Sequence, residues 1–246
     1  MAFLDKTSNP VFDRYFWEDN QSNPKKMTVT GIMLKTVYCL IVITAIVVGI
    51  WKLHTQGTNI KWFAPGGGIA ALIISIVLSV RQHWAHILVP LYAVAKGFFL
   101  GGITAYAKAK FPEIPYQAVG VTIVTFFVML LLYQTRIIVV TKKLRSIIIT
   151  VCASIFVTYL ISWILSFFGI KSFIWGTSWF AFGFNIFAAV FASLSLLLDF
   201  DFIERQKHRA PKYKEWLATW GLLATLIWLY VEILRLMKKF ALKFPK

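Results

Sequence analysis

The stretch SLLLDFDFIERQKHRAPKYKEW, residues Ser195–Trp216, lies between two long apolar runs and decides the architecture. From Asn20 to Leu198 the chain carries a single acidic residue, Glu113, whereas four acidic residues occur within this one stretch. A polar loop between two such runs is typical of a membrane protein, because about 20 apolar residues in a helix cross the hydrocarbon core. The stretch therefore predicts two transmembrane helices joined by a charged loop.

The composition extends this interpretation to the rest of the chain. Of the 246 residues, 59% are hydrophobic and 15% are charged, whereas soluble domains are about half apolar and about a quarter charged. Apolar runs long enough to cross a bilayer recur along the sequence. We predict an all-α integral membrane protein with seven transmembrane helices, the last of them packed centrally. Their predicted ranges are 32–52, 66–82, 86–107, 116–137, 145–168, 174–200 and 216–237.

Polar segments flank this membrane region. We predict a polar N-terminal cytoplasmic tail at 1–30, a single transmembrane domain at 31–240 and a short basic C-terminal tail at 241–246. The first of these segments lacks the apolar run of a cleavable signal peptide. The basic C-terminal residues leave two alternatives open, a last helix that crosses the membrane or one that re-enters it, and crossing is favoured.

The formal net charge of +16 is explained by the membrane. Lysine and arginine between spans set the orientation and contact anionic headgroups, so the lipid bilayer is the expected partner. The loop at 202–215 is rich in both residues, which favours a cytoplasmic N-terminus. A nucleic-acid-binding protein would concentrate its basic residues on one soluble face, and we predict no nucleic-acid partner. No pattern predicts an oligomeric state.

Small residues recur at every fourth position of the third predicted span, at Gly97, Gly101 and Ala105. Such spacing places them on one face of the helix and allows another backbone to approach closely. The pattern predicts close helix packing and indicates nothing about chemistry.

Lys96 lies near the middle of the same span. An ionisable group at that depth costs on the order of 3 kcal/mol unless it finds a partner or water. We predict a carboxylate partner or water for Lys96, with Asp199, Asp201 and Glu232 as candidate acids. The alternative is that its long side chain reaches the membrane surface.

Asp199 follows the apolar run of the sixth span, and two interpretations stay open. In the first, Asp199 and Asp201 only end the span at the headgroups. In the second, Asp199 is a buried carboxylate whose charge is balanced by Arg81 at the end of the second span. Burial and a nearby cation together set the pH at which such a group titrates, and protonation would then open this pH latch.

The remaining charges have simpler interpretations. Four residues are predicted to be secondary interfacial charges beside the basic loop: Asp201, Glu204, Arg205 and Glu215. Asp201 stands four residues before Arg205, a spacing that suits a salt bridge on one helix face. Glu232 stands three residues before Arg235 and can pair with it in the same way.

No motif of a catalytic site occurs in the sequence. The patterns G-x-S-x-G and H-E-x-x-H are absent, as is a pair of intramembrane aspartates of a protease. His83 and His86 lack a third ligand, so we predict no metal site. We predict that the protein is not an enzyme and holds no cofactor.

Several stretches resemble the Bax inhibitor-1 (YccA-like) family, in particular its bacterial branch. The resemblance covers nearly the whole chain. It rests on SNPVF (8–12), MTVTG (27–31), VPLYAVAKGFFLGGITA (89–105), QAVGVTIVTFFVMLLLY (117–133), LLLDFDFIE (196–204) and APKYKEWLATWGLLATLIWLYVEILRLM (210–237).

The resemblance implies seven helices with the last one central, in a bacterial cytoplasmic membrane. It also implies a pH-sensitive calcium leak gated by two aspartates on the last two helices and an arginine on the second. Asp199 and Arg81 match the first aspartate and the arginine. Glu232 matches the second aspartate by the local pattern LYVE, whereas Thr225 lies nearer to Asp199 in depth.

Two functions follow from the resemblance. In the first, the protein is a pH-sensitive cation leak or transporter, with Ca²⁺ as the transported ion and Asp199, Arg81, Glu232 and Lys96 along the pathway. A cation at Lys96 would repel Ca²⁺. In the alternative, the protein conducts nothing and modulates a membrane-anchored AAA protease or another membrane complex.

Overall fold

The computed structural model describes residues 26–169, 174, 176, 178–207 and 209–243. Seven long helices account for most of them: α1 (Val29–Thr55), α2 (Phe63–Val80), α3 (Ala85–Lys110), α4 (Ile114–Gln134), α5 (Lys142–Phe167), α6 (Trp179–Gln206) and α7 (Glu215–Lys243). Short 3₁₀ turns precede α3 and α7, at Gln82–Trp84 and Lys212–Lys214. No strand is present in these ranges, although Lys26 and Pro211 form one isolated β-bridge.

All seven helices are long and apolar enough to cross a membrane, which confirms the predicted fold class. The helix α7 is the most buried, since 83% of its apolar window is buried against 17% to 50% for the others. This agrees with a last helix that is surrounded by protein. The predicted tail up to residue 25 lies outside the described residues, and the domain boundaries stay predictions.

One boundary changes the interpretation of the opening stretch. The helix α6 begins at Trp179 and continues to Gln206, well past the predicted end at residue 200. Asp199 therefore stands inside a helix, with nearly two further turns after it. The predicted span ends too early because it was limited to the apolar run. A helix can continue beyond such a run where its polar residues find partners or headgroups.

The described residues fall into two compact units. The α1 unit comprises those of Asp13–Pro115 and Ile203–Leu223, and the α5 unit comprises those of Tyr116–Phe202 and Ala224–Lys246. The helix α7 thus begins in the α1 unit and ends in the α5 unit.

Small residues hold α1, α2 and α3 together in the α1 unit. A Cβ atom added to Gly97 would lie 2.8 Å from Ile46, and one added to Gly101 would lie 2.5 Å from Ile50. Such distances leave no room for a larger side chain. The predicted close packing along this stripe is confirmed.

The core of the α5 unit is apolar. Buried side chains from α5 and α6 meet there, among them Ile148, Cys152, Leu197 and Leu198, and Trp228 of α7 packs against them. This packing fixes α6 beside α7, which is the helix pair that carries the polar residues described next.

Candidate functional site

Polar side chains follow one face of α7 within the α5 unit. They occur at Thr225, Trp228, Glu232, Arg235 and Lys239, with alternating spacings of three and four residues. At 3.6 residues per turn, this spacing keeps all five on the same side of the helix. A polar stripe about 20 Å long therefore runs along the most buried helix of the protein.

Glu232 is the centre of this stripe and is 0% exposed. Its Oε2 accepts hydrogen bonds from the Tyr159 hydroxyl at 2.8 Å and from Asn185 Nδ2 at 3.3 Å. Its Oε1 accepts from Trp228 Nε1 at 3.1 Å and from Arg235 Nη1 at 3.3 Å. Since a carboxylate offers about four lone-pair sites, these four donors use its whole accepting capacity.

The contact with Arg235 confirms the i,i+3 pair that the sequence predicts. The Arg235 guanidinium also lies over the Tyr159 ring, 4.6 Å from its centroid. The ring and the carboxylate thus hold the same guanidinium from two sides, and cation–π contacts of this kind strengthen when water is excluded.

Lys239 extends the cluster by one helical turn. Its Nζ donates to Ile174 O at 2.7 Å, to Ala181 O at 3.2 Å and to the Asn185 Oδ1 atom. Asn185 is 0% exposed, and its amide connects Lys239 on one side to Glu232 on the other. Tyr159, Asn185, Glu232, Arg235 and Lys239 form one connected network, which we call the Glu232 cluster.

Asp199 has a different environment. It is 0% exposed, and within its unit neither carboxylate oxygen accepts a hydrogen bond in ordinary geometry from a described residue. The Thr225 side chain is the polar group beside it. This agrees with the predicted depth of Thr225, and the burial favours the buried-carboxylate interpretation over a span that ends at the headgroups.

Two predicted site residues belong to the α1 unit. Arg81 is exposed and caps the C-terminus of α2, where its backbone N–H donates to Val77 O at 2.7 Å. Lys96 places its ammonium 5.4 Å from the Tyr92 ring centroid and 5.3 Å from that of Phe99. Asp199 and the other candidate acids lie in the α5 unit, so the pairings predicted for Arg81 and Lys96 stay predictions.

The four predicted secondary charges have different partners. Asp201 accepts a hydrogen bond from Arg145 Nη2, a partner on α5 that the sequence did not reveal, and both residues are buried. Glu204 pairs with Lys207, three residues later on α6. Arg205 has interactions of its own.

Glu215 is 0% exposed, a burial that the sequence does not indicate. In the α1 unit its Oε1 accepts from the Thr28 backbone N–H at 3.0 Å and from the Thr28 hydroxyl at 2.9 Å. Its Oε2 accepts from Lys35 Nζ. The first turn of α7 is thereby fastened to the start of α1, where Thr28 also caps the helix by accepting from Gly31 N–H.

The sequence analysis missed Tyr159, Asn185 and Lys239. A signal existed for Asn185, since it is the single amide residue in an otherwise apolar span, and polar groups in spans are often functional. Lys239 gave no separate signal, because it is one of several lysines in the last ten residues of the sequence. Tyr159 gave none either, because a tyrosine ring packs readily among apolar side chains.

Three carboxylates are buried among the described residues of the α5 unit, and they differ in their partners. Asp201 is paired with Arg145. The Glu232 cluster is internally satisfied and contains one acid and two cations. The polar group beside Asp199 is the neutral Thr225 side chain, and neither Asp199 oxygen accepts a hydrogen bond of ordinary geometry within the described part of its unit.

Comparison with known proteins gives one family. Residues 9–242 match the family model described as Bax inhibitor 1 like. No curated protein matches the chain.

Proposed function

The chain belongs to the Bax inhibitor-1 family, and from this premise we propose that it is a pH-sensitive cation leak with Asp199 as its gating carboxylate. The supporting observation is that Asp199 is fully buried on a helix long enough to span the membrane, where neither of its oxygens accepts a hydrogen bond of ordinary geometry from the described part of its unit. In this family-based proposal, the transported ion is a cation and Ca²⁺ is the first to be tested.

The proposed latch consists of Asp199 and Arg81. Ionised Asp199 needs a counter-charge, and Arg81, which is exposed at the end of α2, is the cation proposed to supply it. Other charged groups of the same unit are already engaged, since Arg145 pairs with Asp201 and Glu232 has its four donors. Protonation of Asp199 would remove the attraction to Arg81 and allow α6 and α7 to separate at this end.

This proposal fixes the sign of the pH dependence. Acidification opens the leak, because it removes the charge that holds the latch closed. Asp199→Asn should then show at neutral pH the flux that the wild type shows at acidic pH, and Arg81→Gln should have the same effect.

The experiment is a flux assay in proteoliposomes over a series of pH values, with dyes that report Ca²⁺ and K⁺. Glu204→Gln is the matched control, because Glu204 lies on the same helix but is exposed and pairs locally with Lys207. If Asp199→Asn keeps the wild-type pH profile, or is closed at every pH, the latch is wrong.

One observation favours the second candidate, a non-conducting partner that modulates a membrane-anchored AAA protease. The ammonium of Lys96 lies among aromatic rings, and the neighbouring Ala93 and Ala95 are buried in apolar surroundings. In the α1 unit this is a poor lining for a cation path. Co-reconstitution with such a protease tests it: altered proteolysis without any ion flux would favour the partner role.

A further inference from the structure

The Lys239 ammonium is held by oxygen atoms in a way that resembles a bound metal ion. Its three contacts are the backbone carbonyls of Ile174 and Ala181 and the side-chain carbonyl of Asn185. An ammonium has three N–H donors and no acceptor, so the three oxygens match it one to one. We call these three oxygens the Lys239 cage.

The orientation of the Asn185 amide is fixed by its other neighbours. Asn185 Nδ2 donates to Glu232 Oε2 at 3.3 Å and lies 3.4 Å from the Tyr159 hydroxyl oxygen. With the NH₂ group engaged there, the carbonyl oxygen has to face Lys239. The position of the Asn185 oxygen in the cage therefore does not depend on Lys239 itself.

Charge matching indicates which ion the cage would accept. The three cage oxygens are neutral, and the nearby Glu232 carboxylate is paired with Arg235 and has its lone pairs filled. A site of neutral carbonyl oxygens suits an ion with a single charge. Calcium requires about six to eight oxygen ligands and usually several carboxylates, which the cage does not provide.

We propose that the Lys239 cage is a monovalent-cation site that the protein fills with its own lysine, so that Lys239 acts as a tethered cation. Removal of the ammonium should leave a site for Na⁺, K⁺ or methylammonium. The tethered ammonium excludes free ions in the wild type, because its effective concentration at the cage is set by a short covalent linkage. This proposal does not rest on the proposed leak, since it concerns binding and not flux.

The test is a salt-dependent stability measurement on the full-length protein in detergent. Lys239→Ala is compared with the wild type in NaCl, KCl, methylammonium chloride and choline chloride at equal ionic strength. We expect Lys239→Ala to melt below the wild type in choline chloride and to recover part of the difference in the other three salts, because a ligand that binds the folded state stabilises it by mass action. Choline is too large for a cage built around one ammonium.

Lys238→Ala is the matched control, since it removes the same charge one residue earlier on α7. For the wild type, and likewise for Lys238→Ala, the melting temperature should be the same in all four salts. The proposal is overturned if Lys239→Ala has the same melting temperature in all four salts, or if Lys238→Ala shows the same dependence on the salt. A parallel measurement in CaCl₂ adds a third test: the proposal is also overturned if Ca²⁺ stabilises Lys239→Ala more than Na⁺ and K⁺ do. If Lys239→Ala fails to fold, Lys239→Gln is used in its place in the same series. Its amide NH₂ group can still donate to the cage but carries no charge.

Discussion

Asp199 and Glu232 are both carboxylates with no exposed surface, both belong to the α5 unit, and both lie beside the polar face of α7. They differ in the groups that face them. Glu232 accepts four hydrogen bonds, whereas Asp199 accepts none from the described residues of its unit. The two carboxylates are thus equally buried but differ in the number of hydrogen bonds that stabilise them.

The difference separates a structural role from a responsive one. A carboxylate with four donors is stabilised as an anion and fixes the helices that supply those donors. A buried carboxylate without donors is poorly stabilised as an anion, so a change of pH acts on it more strongly. Glu232 and, in the α1 unit, Glu215 are of the first kind, and we propose that Asp199 is of the second.

The largest effect on stability is expected for a substitution of Glu232. Glu232→Gln replaces an anion by an amide, which leaves Arg235 without its counter-charge and turns an NH₂ group toward one pair of donors. Arg235 is 31% exposed, so water compensates part of its charge. All four donors lose a buried anion, however, and a hydrogen bond to a charged group contributes about 1.5 to 3 kcal/mol, so we expect the largest loss of stability here. The measurement is the free energy of unfolding, followed by circular dichroism in detergent.

Glu204→Gln serves as the control, because the exposed pair of Glu204 with Lys207 contributes only about 0 to 1 kcal/mol. The double variant Glu232→Gln/Arg235→Gln should recover part of the loss, because it removes the uncompensated cation. A Glu232→Gln protein as stable as Glu204→Gln would show that the four donors do not hold an anion.

Glu215 gives the next largest effect. Glu215→Gln keeps the shape but removes the charge that Lys35 pairs with. Glu215 accepts from three donors, whereas Glu232 accepts from four. We therefore expect a smaller loss of about 2 kcal/mol, in the range of one charge-assisted hydrogen bond. Hydrogen exchange at the start of α1 should rise together with this loss. Unchanged exchange there would contradict the role of Glu215 as a fastening between α1 and α7.

A glycine tests the same contact from the other side. A Cβ atom added to Gly31 would lie 2.5 Å from Glu215 Oε2, so Gly31→Ala should displace the carboxylate from Thr28 and cost about 1 to 2 kcal/mol. In the same helix, Gly49 has no described atom within 4 Å of the added Cβ. Gly49→Ala should therefore be neutral or slightly stabilising, and equal effects at both positions would exclude the Glu215 contact as the cause.

The sequence predicts some of these features well and others not at all. Seven helices follow from apolar runs, because the thickness of the bilayer fixes their length. The Glu232–Arg235 pair follows from a spacing within one helix. Asn185 and Lys239, however, stand 54 residues apart on different helices, and only packing brings them together. The burial of Glu215 was missed for the same reason, since its donors lie near residue 28.

Among the buried carboxylates Glu232, Glu215 and Asp199, the smallest effect on stability is expected at Asp199. Asp199→Asn removes a charge but no hydrogen bond that the described part of its unit provides. Arg81, the proposed counter-charge, is exposed, and an ion pair with an exposed arginine contributes about 1 kcal/mol or less. We therefore expect Asp199→Asn to unfold within about 1 kcal/mol of the wild type, even where its pH-dependent flux is lost. Measured beside Glu232→Gln under the same conditions, it should show a clearly smaller change. If both substitutions destabilise the protein equally, Asp199 is held by a buried partner as firmly as Glu232 is, and it cannot be the group through which pH acts.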